Sequence, residues 1–352
     1  MKKLIPCFAS ILFLVPTIGS AATKYPSLPS KVLSNYEPKT SKAATPKAMV
    51  KRARQFLSGL NDDLHKQAAL PFDSAEKFRW TNVPPRGPQG GVRLGDLNEK
   101  QLQQACDLLA AVLSPQGYLK ARGIPLADDR LLRNGQRRPG FGAEDYWLAI
   151  FGVPSAEEPW ALQFDGHHLA INLTFHGDQM SLSPSFIGTQ PRGFKLGGQT
   201  VEPMLTKDEA ALALFRSLSK AQQQEAIVGR KRGRIVTGAG RDGRVPQPVG
   251  IPTKGFNEKQ NAALMAVIKL YVGDLPKTQA GKRMAELKAQ MDSMTFGWWG
   301  PAEDDGDFSY RIQGPSLIIE YAGQDLGGDP HEHLHSMYRD PTNEYGKRIV
   351  GK

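Results

Sequence analysis

The chain has 352 residues, a formal net charge of +10 and two cysteines, Cys7 and Cys106. Cys7 lies in a segment that we expect to be removed, and the single remaining cysteine excludes an internal disulfide. The positive charge favours binding to an anionic ligand or an anionic surface, or it only keeps the protein soluble. Nucleic acid is not expected as a partner, because the sequence has no helix-turn-helix, zinc-finger or aromatic–basic motif.

The N-terminal residues 1–22 have the layout of a secretory signal peptide, with two lysines, an apolar run and then small residues. No later segment approaches the length of a membrane span, so the mature protein is expected to be exported to the periplasm or the extracellular space. Residues 23–46 are rich in Ser, Thr, Lys and Pro and predict a flexible lead-in. Residues 47–352 predict a single α+β domain, with two lobes as the alternative.

Apolar residues recur at helical spacing in several stretches. They predict helices at Met49 to Leu70, around Leu102 to Leu113, after Thr206, after Asn257 and at Thr278 to Met294. Capping-box spacing marks two of the starts, at Thr206 to Glu209 and at Asn257 to Gln260. Cys106 falls on an apolar stripe, which predicts a core residue rather than a reactive thiol.

Alternating apolar and polar residues predict two groups of strands. Residues 160–188 predict a three-stranded meander with turns at Asp165–Gly166 and Gly177–Asp178, and residues 308–323 predict a hairpin that turns at Gln313–Gly314. Because helices are grouped around antiparallel strands, the predicted fold class is α+β. The expected architecture is an antiparallel sheet built from these two regions and packed against several helices.

A basic loop runs from Arg230 to Arg244 and contains several glycines. It could hold a phosphate or carboxylate ligand, but it lacks the G-K-[ST] sequence of a phosphate-binding loop. A solvated connector is the preferred interpretation.

Histidines cluster in the first meander. Alternation places Leu169, Ile171, Leu173 and Phe175 on the core face, and His168, Asn172 and His176 on the polar face. His167 would lie at the edge of the core beside the turn, where a hydrogen-bonded structural histidine is expected.

A second group of histidines lies near the C-terminus, where His331, Glu332 and His335 spell H-E-x-x-H. A zinc-protease helix would need a third ligand downstream, and the short remaining sequence offers no suitable continuation. If the stretch is instead extended, His331, His333 and His335 share one face, and an H-x-H pair on a strand presents two imidazoles to one metal ion. The alternative is that these imidazoles only form hydrogen bonds with residues such as Asp329 and Asp340.

Six stretches of the sequence resemble the domain-of-unknown-function 3500 family, a group of exported proteins of similar length. The stretches are PFD (Pro71–Asp73), GVRLGDL (Gly91–Leu97), LSPQGY (Leu113–Tyr118), WALQFDGHHLAINLTF (Trp160–Phe175), YRIQGPSLIIEY (Tyr310–Tyr321) and HLHSMYRDPTNEYG (His333–Gly346). The resemblance implies a site made of His333, His335 and the turn from Gly166 to His168, and it implies that the H-E-x-x-H spelling is accidental. It brings no activity with it.

The leading hypothesis is an exported metal-dependent hydrolase. His333, His335 and one of the pair His167 and His168 would bind a divalent metal ion, with zinc favoured over copper or iron. Glu320 or Asp340 would act as general base, and Arg339 would hold an anionic group of a small-molecule substrate. The alternatives are a metal- or ligand-binding protein without turnover and a purely structural envelope protein, and the oligomeric state stays open.

Overall fold

A computed structural model describes residues 26–39, 44–87, 89–133, 139–304, 307–326 and 328–351, and the predicted signal peptide lies outside these residues. The α-helices are α1 (Leu28–Asn35), α2 (Pro46–Ser58), α3 (Asp62–Ala68), α4 (Glu99–Val112), α5 (Pro115–Arg133), α6 (Lys207–Ser217), α7 (Lys220–Ala226), α8 (Glu258–Val272), α9 (Lys277–Ala289) and α10 (Lys347–Val350). Within the described ranges, none of them has the length and apolar character needed to cross a membrane.

The strands are β1 (Ala69–Leu70), β2 (Val92–Arg93), β3 (Tyr146–Phe151), β4 (Trp160–Gly166), β5 (Leu169–His176), β6 (Gln179–Thr189), β7 (Phe194–Leu196), β8 (Gln199–Val201), β9 (Ile227–Gly229), β10 (Ile251–Pro252), β11 (Thr295–Trp299), β12 (Ser309–Gly314), β13 (Leu317–Gly323) and β14 (Leu334–Arg339). Short 3₁₀ turns lie at Ala75–Phe78, Leu94–Asp96, Met291–Ser293 and Glu344–Gly346.

One large sheet forms the centre of the fold, with the strand order β1-β3-β4-β5-β6-β14-β13-β12-β11-β10. β2 is added beside β3 and β9 beside β11, while β7 and β8 form a separate pair. The pairings in the large sheet are antiparallel, except that β1–β3 and β9–β11 are parallel. The predicted α+β class is confirmed, and the two predicted strand regions are joined through β14, which pairs with β6 on one side and with β13 on the other.

The two faces of the sheet are covered differently. Alternate residues of β5, such as Leu169 and Ile171, point into a large apolar cluster that also contains residues of α2, α4, α6 and α8. On the opposite face, Ala170, Phe186 and Met337 pack with Trp80 and Tyr345, which come from loops and a 3₁₀ turn. The alternation in the sequence therefore predicted the core face of β5 correctly.

Local signals explain where several helices begin. α4 and α8 begin with full capping boxes, at Asn98 and at Asn257, and Cys106 is buried in the apolar face of α4. The predicted capping box at Thr206 is wrong, because the Thr206 side chain makes no capping hydrogen bond although α6 begins directly after it. The predicted helix from Met49 to Leu70 is two helices, α2 and α3, since the chain turns at Gly59.

The predicted flexible lead-in over residues 23–46 needs a correction. Its middle forms α1, which starts with a hydrogen bond from the Ser30 amide to the N-cap Ser27 side chain. Val32 and Leu33 of α1 are buried in the large apolar cluster. The composition of this stretch is that of a linker, but two apolar residues are enough to dock one short helix on the core.

Two of the three predicted hairpin turns are displaced by two residues, whereas the β5–β6 turn consists of Gly177 and Asp178 as predicted. The β4–β5 turn consists of His167 and His168 rather than Asp165–Gly166, and the β12–β13 turn consists of Pro315 and Ser316 rather than Gln313–Gly314. In each case the expected turn glycine is the last residue of a strand.

Candidate metal centre

His168 is positioned by an unusual backbone conformation. It is the second residue of the β4–β5 turn and has a φ of 67°, a left-handed conformation that costs free energy in a residue with a Cβ. Two hydrogen bonds hold the turn in place. The amide of His168 donates to the carbonyl of Asn82 at 3.1 Å, and its carbonyl accepts from the amide of Gly188 at 2.7 Å.

His333 and His335 approach the same place from β14. His333 directly precedes the strand, and His335 lies opposite Gly188 in the β6–β14 ladder. The Nδ1–H of His333 donates to the carbonyl oxygen of Leu326. This hydrogen bond fixes the tautomer, so that the lone pair of His333 is on Nε2.

The three imidazoles converge on one point. His333 Nε2 is 2.8 Å from His168 Nε2 and 3.1 Å from His335 Nε2. The potential ligand atoms of the three residues all lie within 4.8 Å of one another, so this group could hold a metal ion. An ion at tetrahedral angles and about 2.1 Å from each nitrogen requires nitrogens roughly 3.4 Å apart, so the two separations from His333 Nε2 would widen by a few tenths of an ångström when an ion binds.

Gly188 provides the room for these rings. A Cβ at this position would lie 2.8 Å from His335 Cδ2 and 3.2 Å from His168 Cδ2. Real side chains do not approach so closely, so a larger residue would push the two imidazoles away from their present positions.

Burial keeps the three imidazoles in the neutral form that binds metals. His168 is 2% exposed and His333 is 5% exposed, whereas His335 is half-buried. Desolvation lowers the pKa of His168 and of His335 well below the usual range and also lowers the pKa of His333. The neighbouring imidazoles lower the pKa of His168 and His335 further, because two charged rings would repel each other.

His167 belongs to a different arrangement. Its Nδ1 lies 2.7 Å from the carboxylate of the buried Asp128, as expected for a structural histidine, and its ring stacks on that of His168 with centroids 3.7 Å apart. Phe141 packs on it at 4.6 Å. Of the pair His167 and His168, the structure therefore places His168 in the cluster and His167 behind it.

The stretch His331–His335, which contains the H-E-x-x-H motif, does not form a helix. His331 and Glu332 lie in a turn, whereas His335 is in β14. The Glu332 side chain accepts a hydrogen bond from the amide of Arg192. His331 likewise stays outside the cluster, because the group that could hold a metal ion consists of His168, His333 and His335.

The remaining histidine of the first meander, His176, is at the far end of β5. Its Nδ1 contacts the carbonyl of Ile349. The alternation predicts that His168 and His176 share a polar face, but His168 lies in the turn before β5 and has a positive φ, whereas His176 is the last residue of this eight-residue strand. The two side chains therefore do not come together.

Glu320, which was expected as a general base, has its carboxylate in a buried network. The carboxylate accepts hydrogen bonds from the amides of Val236 and Thr237 and from the Thr237 hydroxyl. It also pairs with Arg311 at 2.8 Å. These contacts attach the basic loop to the sheet.

Arg339 and Asp340, the other two expected catalytic residues, also lie in such networks. Arg339 is fully buried and donates to the carbonyl of Thr237 and to the carboxylate of Glu344. Asp340 pairs with Arg283 at 3.1 Å. The structure thus surrounds both residues with protein partners and does not bring them into the histidine cluster.

The basic loop crosses the sheet face that carries the histidines. Its residue Arg232 donates to the carbonyl of Gly323 and to Asp325, one residue before the Leu326 carbonyl that holds His333. Its other cations, Arg230, Lys231, Arg234, Arg241 and Arg244, are exposed. The loop therefore contacts the segment that leads to Leu326, and most of its charge faces solvent.

Sequence reasoning missed three supporting residues, Gly188, Asp128 and Leu326. Leu326 acts through its backbone carbonyl and Gly188 through its missing side chain, and neither leaves a sequence signal. Asp128 lies within the long helix α5, where an acidic residue ordinarily suggests a solvated surface.

A comparison with known families matches residues 42–347 to the family described as "Protein of unknown function (DUF3500)". The matched region covers most of the chain and contains all three histidines of the cluster, and it confirms the family predicted from the sequence motifs. No curated protein and no solved structure gave a match.

Proposed function

We propose that this chain, which belongs to the DUF3500 family of proteins of unknown function, binds a divalent metal ion through His168, His333 and His335 and uses it for hydrolysis. The observation that carries the proposal is the convergence of three Nε2 atoms from two distant parts of the chain. Zinc is the first candidate, because it favours imidazole ligands and needs no redox partner.

The hydrogen bonding of His333 supports a metal ion over a purely structural cluster. Because its Nδ1–H donates to Leu326, its Nε2 has one lone pair in the plane of the ring. Two other imidazole nitrogens lie within 3.1 Å of that atom, and one lone pair cannot accept two good hydrogen bonds. A cation among the three nitrogens would use all three lone pairs at once.

The number of ligands supports catalysis. Structural zinc sites are closed by four protein ligands, whereas catalytic sites have three and leave one position for water or substrate. When bound, such an ion lowers the pKa of a coordinated water towards 7 and polarises a carbonyl or phosphoryl oxygen. The half-buried His335 is the side of the cluster from which water can approach.

The protein's own residues would hold and orient the ligands. Leu326 fixes the tautomer of His333, Gly188 leaves space for His168 and His335, and the stacked His167 limits rotation of the His168 ring. A metal carrier without turnover is the second candidate, since the same donor set would serve it.

The experiment that tests the proposal is metal analysis of the protein purified without a polyhistidine tag. We expect near-stoichiometric zinc in the wild type and its loss in His333→Ala and His335→Ala. His331→Ala is the matched control, because this neighbouring histidine lies in the turn outside the cluster and its loss should leave the metal content unchanged.

Thermal unfolding with and without added zinc separates metal loss from misfolding. A ligand at about 100 times its Kd stabilises the folded state by about 2.7 kcal/mol, so zinc should raise the Tm of the metal-free wild type but not of His333→Ala. Absence of metal together with an unchanged Tm in the wild type would overturn the metal site. Bound zinc without turnover of ester, phosphoester or amide substrates would instead favour the carrier.

A further inference from the structure

A second site is suggested by an open cleft of about 880 Å³ near the β1 and β2 edge of the sheet. Its lining comes from residues around Arg79, from residues 85–87 and 89–91, from Arg93 at the end of β2, and from Pro139, Gly140, Asp145 and Trp147. The three histidines are not among the described lining residues. A concave site of this size can enclose a ligand of several rings.

The walls of the cleft are held together by close backbone contacts. At Gly140, which has a φ of +83°, a Cβ would lie 2.4 Å from the carbonyl oxygen of Pro85. At Gly91, with a φ of +111°, a Cβ would lie 2.8 Å from the carbonyl oxygen of Leu148. Both positions require glycine, because a side chain there would push the adjoining backbone segments apart.

The charges in the cleft largely compensate one another. Arg79 pairs with Glu76 at 2.8 Å, and Arg93 pairs with Asp145 at 2.7 Å and with Asp96 at 3.3 Å. Each guanidinium has five N–H donors and each carboxylate several lone pairs, so the paired groups keep free donors and acceptors towards the cleft. Arg86 adds a further, exposed guanidinium.

An aromatic side chain lies beside these groups. Trp147 of β3 is directly opposite Arg93 of β2 in their antiparallel register, so both side chains are on the same face. The indole is 7% exposed and lines the cleft. The exposed part of the indole is a small apolar surface next to the planar guanidinium and carboxylate groups.

We propose that this cleft binds a neutral carbohydrate chain. A sugar ring presents hydroxyl groups that donate and accept hydrogen bonds, and it presents C–H groups that pack on an aromatic ring. The compensated charges match a ligand without net charge, because an anionic ligand would have to compete with Glu76, Asp96 and Asp145. The proposal goes beyond the metal chemistry and does not depend on it.

The test is calorimetric titration of the full mature protein with soluble neutral oligosaccharides, namely hexamers of α-1,4-glucose, β-1,4-glucose and β-1,4-N-acetylglucosamine. We expect at least one of them to bind with an affinity that changes little between low and high salt. In the double variant Arg79→Ala/Arg86→Ala, the affinity should fall about tenfold or more, as expected when charge-assisted hydrogen bonds are lost.

The double variant should fold normally, because Arg86 is exposed and the Arg79–Glu76 pair is largely exposed. Arg216→Ala is the matched control, since this arginine forms an exposed pair with Asp304 outside the cleft. The proposal is overturned if none of the three hexamers binds, or if Arg216→Ala weakens binding as much as the double variant does. It is also overturned if only an anionic chain such as polygalacturonate binds and its binding disappears at high salt.

Discussion

Gly188 is the residue whose replacement tests the geometry of the candidate metal centre most directly. It makes no side-chain contact, yet the space above it is filled by the rings of His168 and His335. A methyl group there would leave all three imidazoles in the chain and change only their separation.

We therefore expect Gly188→Ala to lower the zinc content and zinc affinity strongly, while His168, His333 and His335 remain. Gly281→Ala is the matched control, because a Cβ at this position in α9 would meet nothing within 4 Å and alanine favours a helix by about 0.5–1 kcal/mol. Competition with a chromogenic chelator measures both affinities. Unchanged affinity in Gly188→Ala would show that the rings do not need this space.

Replacing Arg339 tests whether this residue has a structural or a catalytic function. Its guanidinium is fully buried and bonded to Thr237 and Glu344. Removing one partner of a buried ion pair leaves the other charge without compensation.

We predict that Arg339→Met lowers the free energy of unfolding by about 3–5 kcal/mol and leaves the metal content of the folded fraction unchanged. Arg348→Ala, which breaks a half-exposed pair with Glu286, should cost no more than about 1 kcal/mol. Urea unfolding provides both values. A stable Arg339→Met protein with lost turnover would instead support the substrate-holding role first expected for Arg339.

At the scale of single residues, the sequence indicated which types of side chain could form the site, but not which way each side chain points. The H-x-H spacing predicted His333 and His335 as a pair, and the structure places their Nε2 atoms 3.1 Å apart. Whether His167 or His168 joined them depended on a two-residue displacement of the turn and on the positive φ of His168. Histidine adopts a positive φ much less readily than glycine, so it is only a weak signal for such a conformation.

At the scale of elements, α1 shows how a short helix can be hidden in a linker-like composition. Leu33 is 2% exposed, whereas Leu28 of the same helix is 40% exposed. The Ser30 hydroxyl also donates to the buried carboxylate of Asp129. The helix is thus attached by one apolar face and one polar contact.

We expect Leu33→Ala to lower the free energy of unfolding by about 2–4 kcal/mol, the usual cost of a cavity in a packed core. Leu28→Ala removes the same atoms from an exposed position and should cost well under 1 kcal/mol. The urea midpoints of the two variants provide the comparison. Equal midpoints would mean that α1 is not docked on the core in solution.

The hairpins were predicted well because their pairing is local. β4, β5 and β6 follow one another in the sequence and pair in that order, so alternation and turn residues contain most of the necessary information. Two of the three predicted turn positions were wrong because Asp165–Gly166 and Gln313–Gly314 have the residue types of a tight turn. In the structure both glycines instead continue the ladders as the terminal residues of β4 and β12.

The arrangement of the whole molecule could not be derived in the same way. The candidate site exists because β6 pairs with β14, strands separated by about 145 residues of sequence. No local pattern specifies such a partner, since any exposed strand edge offers the same backbone groups. The family resemblance supplied what the residue pattern lacked, by linking the His167–His168 turn with His333 and His335.

The buried carboxyl group of Asp165 makes the stability of the whole molecule depend on pH. It lies in β4 beside Trp147 and Ala170, and one of its oxygens accepts from the Thr81 amide at 3.1 Å. Its other oxygen has no hydrogen-bond partner among the described residues. Burial raises the pKa of Asp165 from 3.8 to about 7.

The protonation of Asp165 in the folded and in the unfolded state determines whether stability rises or falls with pH. Below about pH 4 the carboxyl group is neutral in both states, so its ionisation does not affect the free energy of unfolding. Between about pH 4 and pH 7 it ionises in the unfolded chain but not in the folded one, so the unfolded state becomes more favourable as the pH rises. Above pH 7 both states are ionised and the loss of stability is complete, at a few kcal/mol.

Asp165→Asn should therefore be progressively more stable than the wild type as the pH rises from 4 to 7, and the difference should level off above pH 7. Asparagine can still accept from Thr81, and it does not ionise. Urea unfolding of both proteins at several pH values measures the difference, in which the titration of other groups such as the histidines cancels. A difference that is constant with pH would mean that Asp165 ionises alike in the folded and unfolded chain, because water reaches its unpaired oxygen.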